Sequence, residues 1–193
     1  MAFQAPVATD RCNTGISTGK LAIWILLASE IVIFGGLVAV YLLLRLHEGA
    51  AWGAEAAHTN VVAGAINTFI LLTSSFFIVL AHQAAEQDDR KKAVKFMYLT
   101  LLCALGFLVV KAYEYTYEIS HGYTWFRSNF WGFYYTATFI HASHVIAGGI
   151  AIFIAAQGVK VGYHMNRVEV CGIYWHFVDL VWIFLFPLLY IAK

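Results

Sequence analysis

Charged residues are scarce in this chain. Its 193 residues include 12 Lys and Arg and 11 Asp and Glu, so 12% are charged, while 61% are hydrophobic and the formal net charge is +1. A soluble domain is nearer half apolar and a quarter charged, and one of this length would still need a polar surface. The excess of apolar residues therefore indicates a chain whose solvent is lipid. No basic run is longer than Arg90–Lys92, so nucleic acid is not an expected partner.

Cysteine is scarce as well. Cys12, Cys103 and Cys171 are far apart and form no CxxC pair, so the sequence predicts neither a disulfide framework nor a cysteine metal site. Residues 1–19 contain no apolar run of their own, and no cleavable signal peptide is expected there. The first membrane helix is expected to direct insertion itself.

Long apolar runs dominate the rest of the sequence. Crossing the hydrocarbon layer takes about 20 predominantly apolar helical residues, and five segments meet this requirement. The connections between them are short and polar, so we predict an all-α integral membrane protein with a single membrane domain over residues 1–193. The predicted spans are Leu21–Leu44, Val61–Ala81, Phe96–Glu114, Phe130–Ala156 and Val170–Ala192.

The distribution of Lys and Arg predicts the orientation of the chain, because short cytoplasmic loops carry an excess of these residues. Eight of the 12 fall on the side of the N-terminus and four on the opposite side, so we predict a cytoplasmic N-terminus and an external C-terminus. The first group is Arg11, Lys20, Arg90, Lys91, Lys92, Lys95, Lys160 and Arg167, and the second is Arg45, Lys111, Arg127 and Lys193.

Glu30 is the most informative polar residue, because a charge at the centre of a membrane helix costs about 2.5–3.5 kcal/mol on insertion scales. Its neighbours on the same helix face are apolar, so either another helix supplies a partner or the carboxyl is protonated. Ala28, Gly35 and Ala39 predict a close-packing stripe nearly opposite Glu30. The glutamate is therefore expected to face a different helix, a partner subunit or lipid, in a functional or inter-subunit role.

The last two spans contain two pairs of polar residues at i,i+3 spacing, His141 with His144 and His176 with Asp179. His144 continues into a stripe of small residues (Gly148, Ala151, Ala155) and should face the bundle, and His176 can donate a hydrogen bond to Asp179. At about 1.5 Å per residue, Glu30, Asp179 and His144 lie roughly 13–18 Å deep, which suggests one polar layer. We interpret the histidines as interhelical hydrogen-bond partners, so no metal ion or cofactor is predicted for this chain.

Two further groups are expected to bond between helices. Lys111 and Glu114 are i,i+3 near the outer end of the third span, where the lysine can snorkel outward while it pairs with the glutamate. Asn67 in the second span lies beside or near three hydroxyl residues, Thr68, Ser74 and Ser75, which commonly bond across helices.

Three of these segments resemble cytochrome c oxidase subunit III. YWHFVDLVWIFLF (Tyr174–Phe186), with Glu169 seven residues before its histidine, resembles the family's last helix; FIHASHVIAGG (Phe139–Gly149) is similar to TGFHGLHVIIG; and LLASEIVIFGGL (Leu26–Leu37) resembles the helix with the family's buried glutamate. The second motif departs from the family at two positions, Ala142 and Ser143. Shorter matches follow in family order: NTFILLTSS (Asn67–Ser75), DRK (Asp89–Lys91) and KAYEY (Lys111–Tyr115). The resemblance covers about Gly19–Ala192.

The resemblance implies a non-catalytic subunit of a haem–copper terminal oxidase, in the five-helix form of many bacterial enzymes. Its partners would be subunit I, which holds the haems and copper, and subunit II, in the bacterial cell membrane. Family members bind phospholipid in a cleft between helix groups and support proton uptake and oxygen access. The matching carboxyl reacts with a carbodiimide, which agrees with a protonated Glu30. Because this chain matches only the last five of the seven helices in long members, half of the lipid cleft's walls would have to come from elsewhere.

Three alternatives remain open at this point. A subunit-III-like component of a nitric oxide reductase would differ in its companion subunits. A small proton-coupled transporter using Glu30 is opposed by the absence of an internal repeat and of Pro-broken spans, since the prolines are Pro6 and Pro187. A cytochrome b-type electron carrier would have an optical spectrum of its own. The choice between cytochrome c and quinol as electron donor lies in other subunits.

Overall fold

The computed structural model describes residues 18–162 and 166–192, and these form six α-helices followed by a short π-helical turn. Arg11, Cys12, Pro6 and Lys193, which entered the sequence predictions, lie outside the described residues. The helices are α1 (Thr18–Glu48), α2 (Ala50–Ala56), α3 (Val61–Glu86), α4 (Arg90–Ser120), α5 (Asn129–Val161) and α6 (Asn166–Phe186), and the π-helical turn is Pro187–Ile191.

Five of the helical segments are long and apolar enough to cross a membrane, which confirms the predicted all-helical fold with five spans. The helices extend several residues beyond the predicted spans, because polar residues outside the hydrocarbon layer continue the hydrogen-bonded helix. The connection predicted around His82–Lys95 is therefore too long: α3 continues to Glu86 and α4 begins at Arg90. The short helix α2, within the predicted connection Arg45–His58, was not anticipated.

Side-chain caps begin three of the long helices. The side chains of Asn60, Asp89 and Ser128 accept hydrogen bonds from backbone N–H groups three residues later. Such caps satisfy donors that the first turn of a helix leaves free. The side chain of Lys92, 3.0 Å from the carboxylate, and the Lys92 backbone N–H both lower the pKa of Asp89. Asp88, just before it, has a φ of 55°, so the turn between α3 and α4 needs one residue in the left-handed region.

Helices α3 to α6 form the body of the bundle, with α3 against α4 and α6, and α5 against α4 and α6. Large aromatic side chains fill its interior, including the fully buried Trp131, Trp175 and Trp182. Helices α5 and α6 come close at Gly148, where an added Cβ would lie 3.0 Å from ring atoms of Tyr174 and Trp175. A small residue at this position is what close helix contact in a membrane requires.

Helix α1 lies at the edge of this bundle and packs mainly on α6, with smaller contacts to α5 and α2. Its inward strip contains Ile23, Leu27, Phe34 and Tyr41. The predicted close-packing stripe of Ala28, Gly35 and Ala39 is exposed, and nothing lies within 4 Å of a Cβ built on Gly35. That prediction is therefore wrong for contacts within this chain, because the rotation of α1 is set by its larger side chains on the other face.

Polar bonds attach the second half of α1 to the segment that follows α6. The Tyr41 hydroxyl donates to the carbonyl of Leu188 (2.7 Å), and Arg45 donates to the carbonyl of Ala192 (2.8 Å). Arg45 also donates to the Tyr41 hydroxyl (2.7 Å). These carbonyls lie in and just after the π-helical turn, where a helix end leaves acceptors free.

Candidate functional site

Glu30 meets a partner on another helix. Its Oε2 lies 2.9 Å from Nε2 of His144 on α5, and the two side chains are 12% and 17% exposed. Phe34, one turn along α1, packs edge-on against the His144 ring with centroids 5.1 Å apart. The sequence predicts that another helix could supply a partner for Glu30, and in the structure that helix is α5.

The other nitrogen of His144 decides how protons are arranged in this pair. Its Nδ1 lies 2.7 Å from the carbonyl of Ile140, which can only accept a hydrogen bond, so Nδ1 carries a hydrogen. In a neutral imidazole Nε2 is then an acceptor, and the Glu30 carboxyl must be the donor. In an imidazolium Nε2 donates to a carboxylate instead.

A second polar group lies deep between α4, α5 and α6. Lys111 donates hydrogen bonds to Glu114 (3.0 Å), Tyr134 (3.0 Å) and Tyr190 (2.8 Å). Tyr134 in turn donates to the other carboxyl oxygen of Glu114 at 2.9 Å. We call these four residues the ionic cluster.

The prediction that Lys111 snorkels outward is wrong, because its side chain is only 4% exposed. Two tyrosine hydroxyls and one carboxylate supply acceptors inside the bundle, and the rings of Tyr115, Tyr134 and Trp182 face the ammonium at 4.8–5.5 Å. Aromatic faces attract cations, most strongly where water is excluded. The hydroxyls of Tyr134 and Tyr190 come from α5 and the π-helical turn, and these two partners could not be inferred from the spacing within α4.

Glu118 lies beside this cluster and was missed by the sequence analysis. It is 1% exposed, and neither carboxyl oxygen has a hydrogen-bond partner among the described residues. Its spacing of four residues from Glu114 and seven from Lys111 places it on the same helix face, which was the available signal. The predicted span ends at Glu114, so Glu118 falls in the predicted connection and not in the helix.

The expected hydrogen bonds of His141 and Asn67 are not observed. Both residues are fully buried, and their side-chain nitrogen and oxygen atoms have no partner within the part of the chain that the structure describes. His141 instead packs against the rings of Phe107 and Trp182, with centroids 5.5 and 5.1 Å apart. Burial of a polar side chain without a hydrogen-bond partner costs free energy of folding, and buried water commonly bonds to such groups.

The predicted hydrogen bond from His176 to Asp179 is also wrong. His176 Nδ1 lies 2.7 Å from Oγ of Ser75 on α3, and the carboxyl oxygens of Asp179 have no hydrogen-bond partner in residues 18–162 and 166–192. Asp179 shares its helix face with Trp182, which bonds to α3, whereas Phe177 contacts Phe34 on α1. At about 100° per residue, Asp179 and Phe177 point in nearly opposite directions. Asp179 therefore faces away from Glu30 and His144, so the predicted polar layer is present only as that bonded pair and does not include Asp179.

Hydroxyl groups of α3 accept hydrogen bonds from two tryptophans of α6. Trp182 Nε1 donates to Thr68 at 3.0 Å, and Trp175 Nε1 donates to Ser74 at 2.9 Å. The stretch around Asn67 thus contacts α6 through its hydroxyl residues.

Glu169 forms an ion pair with Lys20 at 2.7 Å, with both side chains partly exposed. The pair joins the start of α6 to the start of α1. The family resemblance predicts a role for Glu169 but not its partner, and Lys20 contributes to the sequence predictions only through the orientation of the chain.

Metal-binding side chains are not brought together among the residues that the structure describes. Within the described ranges, no three His, Cys, Asp or Glu residues are placed so that they could hold one metal ion. The polar residues instead form separate pairs and small groups at helix contacts.

The sequence matches the family model described as cytochrome c oxidase subunit III over residues 6–193. Cytochrome c oxidase subunit 3 of Thermostichus vulcanus is 35% identical over 191 residues, which covers 96% of this chain and 92% of that protein. The corresponding subunits of Corynebacterium diphtheriae and Bacillus sp. (strain PS3) are 33% and 32% identical, over 98% and 96% of this chain and 94% and 92% of those proteins. The chain therefore belongs to the cytochrome c oxidase subunit III family.

Proposed function

We propose that this chain is the non-catalytic subunit III of a proton-pumping haem–copper terminal oxidase in bacterial aerobic respiration. It binds subunit I, which holds the haems and copper, in a complex with subunit II, and it has no redox centre of its own. The observation that carries the proposal is the Glu30–His144 pair, a carboxyl and an imidazole that bond to each other between α1 and α5.

The pair suits a role in proton supply. The two proton arrangements of Glu30 and His144 differ only in where one hydrogen lies along a 2.9 Å bond. Both side chains are partly exposed, so a neighbouring subunit or water can exchange protons with them. The remaining roles we assign are to stabilise subunit I and to support oxygen access through the membrane.

The proposed setting is the bacterial cell membrane, with the N-terminus in the cytoplasm and the C-terminus outside. The excess of Lys and Arg in the connections on the N-terminal side supports this orientation. We also propose that residues 1–193 form one membrane domain and that phospholipid binds to it.

Purification of the tagged chain in mild detergent tests the assignment to an oxidase. We expect a haem- and copper-containing subunit I to co-purify, together with subunit II. A reductase large subunit in its place would assign the chain to a nitric oxide reductase, and purification without companions would contradict the proposal.

Carbodiimide labelling tests the role of Glu30. In Glu30→Gln, the amide can still donate to Nε2 of His144, so the chain should fold, but the reactive carboxyl is lost and turnover of the complex should be less durable. Glu86→Gln is a matched control, because Glu86 is the last residue of α3 and its side chain is 68% exposed. Unchanged labelling in Glu30→Gln would remove Glu30 from this role.

A further inference from the structure

Each of the four helices α3 to α6 has one buried polar side chain with no hydrogen-bond partner in the described part of the chain. These residues are Asn67, Glu118, His141 and Asp179, and they are 0–4% exposed. Buried polar groups in folded proteins are nearly always hydrogen-bonded, so a partner has to be found for each of them. Glu118 lies beside the ionic cluster, and the other three lie around Trp182 of α6.

His141 and Asn67 lie at the same depth in the bundle. The ring of Phe107 on α4 packs edge-on against the rings of both His141 and Trp182, with centroids 5.5 and 5.0 Å apart. Trp182 also donates a hydrogen bond to Thr68, the residue that follows Asn67 on α3. The two unpartnered side chains therefore belong to one layer, which Trp182 and Phe107 share.

The register of α3 against α4 supports this placement independently. The hydroxyl of Thr100 on α4 lies 3.5 Å from the carbonyl oxygen of Ser74 on α3. The two helices are antiparallel, because a short turn joins them, so Asn67, two turns before Ser74, lies opposite Phe107, two turns after Thr100. Asn67 also shares its helix face with Ser74, which accepts a hydrogen bond from Trp175 inside the bundle. The amide of Asn67 therefore points into the bundle.

The carboxyl group of Asp179 lies one turn of α6 away from this layer. Asp179 precedes Trp182 by three residues, which is about 4.5 Å along the helix axis, and the two side chains share a helix face. That separation is too long for a direct hydrogen bond to groups in the layer and short enough for a chain of one or two small molecules.

The chemistry of the layer determines what binds there. The amide of Asn67 both donates and accepts hydrogen bonds, and so does the imidazole of His141 in its neutral form. A ligand must therefore donate and accept as well, and it must be small, because both side chains are fully buried. A cation is disfavoured, since the ammonium of Lys111 lies 5.5 Å from the Trp182 ring and would repel it. Water meets these conditions, and buried water typically has two to four polar partners.

We propose that a chain of internal water molecules bridges Asn67 on α3 and His141 on α5 beside Trp182 and continues to the carboxyl group of Asp179 on α6. The waters supply the partners that these three side chains lack among the described residues. They join three helices in a solvent where apolar contact gives little force for association, so the water chain is part of what holds the bundle together. This site goes beyond the proposed function and does not depend on it.

Electron cryo-microscopy of the full-length chain, with the subunits that co-purify and at a resolution that shows water, tests the site directly. We expect density for a water molecule within about 3 Å of a ring nitrogen of His141 and of the amide of Asn67, and further density beside the carboxyl of Asp179. A direct hydrogen bond between Asn67 and His141, or ordered side chains with no density between them, would overturn the bridge. Ordered oxygens of Asp179 with no water beside them would overturn its continuation.

Apolar replacements test the bridge through stability. Asn67→Leu and His141→Phe roughly keep the sizes of the side chains and the aromatic contacts of His141, but they remove the polar atoms. With a water bridge, each single variant leaves the remaining side chain and the water short of a bond, which lowers the midpoint of heat-induced unfolding by several degrees. The double variant removes both polar groups, so its loss should be smaller than the sum of the single losses. Thr73→Val is the control, because the Thr73 hydroxyl bonds to the carbonyl of Phe69 within its own helix.

A dry layer predicts the opposite sign. Removal of a buried polar group that has no partner relieves the cost of burying it, so each single variant should then raise the unfolding midpoint. The double variant should raise it by the sum of the two effects, because no shared water couples the sites. Stabilising and additive variants would therefore overturn the water bridge. The identity of the subunits that co-purify tests the proposed function separately, so the failure of one does not imply the failure of the other.

Discussion

Helix α1 and the helices of the bundle, α3 to α6, are all apolar enough to cross a membrane, but different interactions hold them. In the bundle, aromatic side chains and the ionic cluster are buried between helices on several sides. In the most apolar 18-residue stretch of α1, only 17% of the residues are buried within the chain, against 44% in the corresponding stretch of α6. Its polar contacts are spread along its length, at Lys20, Glu30, Tyr41 and Arg45. Apolar contact specifies the position of a helix weakly in lipid, so these polar bonds define where α1 lies.

The largest effect is expected inside the bundle. Lys111→Met leaves Glu114 buried without its cation, and removal of one partner from a buried pair typically costs about 3–5 kcal/mol. We expect a large fall in the midpoint of heat-induced unfolding in mild detergent. Lys95→Met is the control, because Lys95 is an exposed lysine on the same helix. Adding Glu114→Gln to Lys111→Met should restore part of the stability, and a single variant as stable as the control would refute this role of the cluster.

Glycine substitutions compare the two regions directly. An added methyl group at Gly148 meets ring atoms at 3.0 Å, so Gly148→Ala should destabilise the chain by about 1–3 kcal/mol, as overpacking does. Gly36→Ala on α1 meets nothing within 4 Å and should be neutral or stabilising, since alanine favours a helix over glycine. Unfolding midpoints of the purified chain measure both. Equal losses in the two variants would mean that α1 is packed as closely as α5.

A double-mutant cycle on Glu30 and His144 measures the bond that holds α1 at mid-depth. Glu30→Leu, His144→Leu and the double variant should give a coupling between the average of about 0.6 kcal/mol and the maximum of about 1.7 kcal/mol found for polar bonds between membrane helices. The quantity is the free energy of unfolding in a detergent titration. A coupling of zero would show that the contact between α1 and α5 does not depend on this pair.

The smallest effect is expected at the cap of α4. The pKa of Asp89 is lowered in the folded chain, so its ionised form stabilises the fold above the ordinary value of 3.8, and this contribution is lost as the pH falls through the lowered pKa. Asp89→Asn keeps a capping side chain but should abolish that pH dependence between pH 6 and acid. Asp88→Asn is the control, because Asn tolerates the left-handed backbone found there. The unfolding midpoint against pH measures the difference, and identical profiles would contradict the role of the Asp89 charge.

The length and apolarity of the spans could be predicted because the thickness of the hydrocarbon layer imposes them. The ends of the helices could not be predicted in this way, since residues such as Arg90 and Glu118 continue a helix beyond that layer. The polar pairs depend on how helices are rotated against each other, which spacing within one helix does not determine. Glu30 was therefore recognised as unusual without its partner His144, and Lys111 was placed in the wrong environment because Tyr134 and Tyr190 come from other helices.

The bonds from Tyr41 and Arg45 to Leu188 and Ala192 have a consequence for the order of biosynthesis. They span 147 residues, so α1 can form these bonds only after Leu188 and Ala192 have been synthesised. Until then Tyr41 and Arg45 cannot bond to the carbonyls of Leu188 and Ala192, while the later segments enter the bilayer. A nascent chain that has been synthesised only as far as Phe186 would contain the apolar sequence of its spans up to that residue and would still lack the two carbonyl groups that bond to α1.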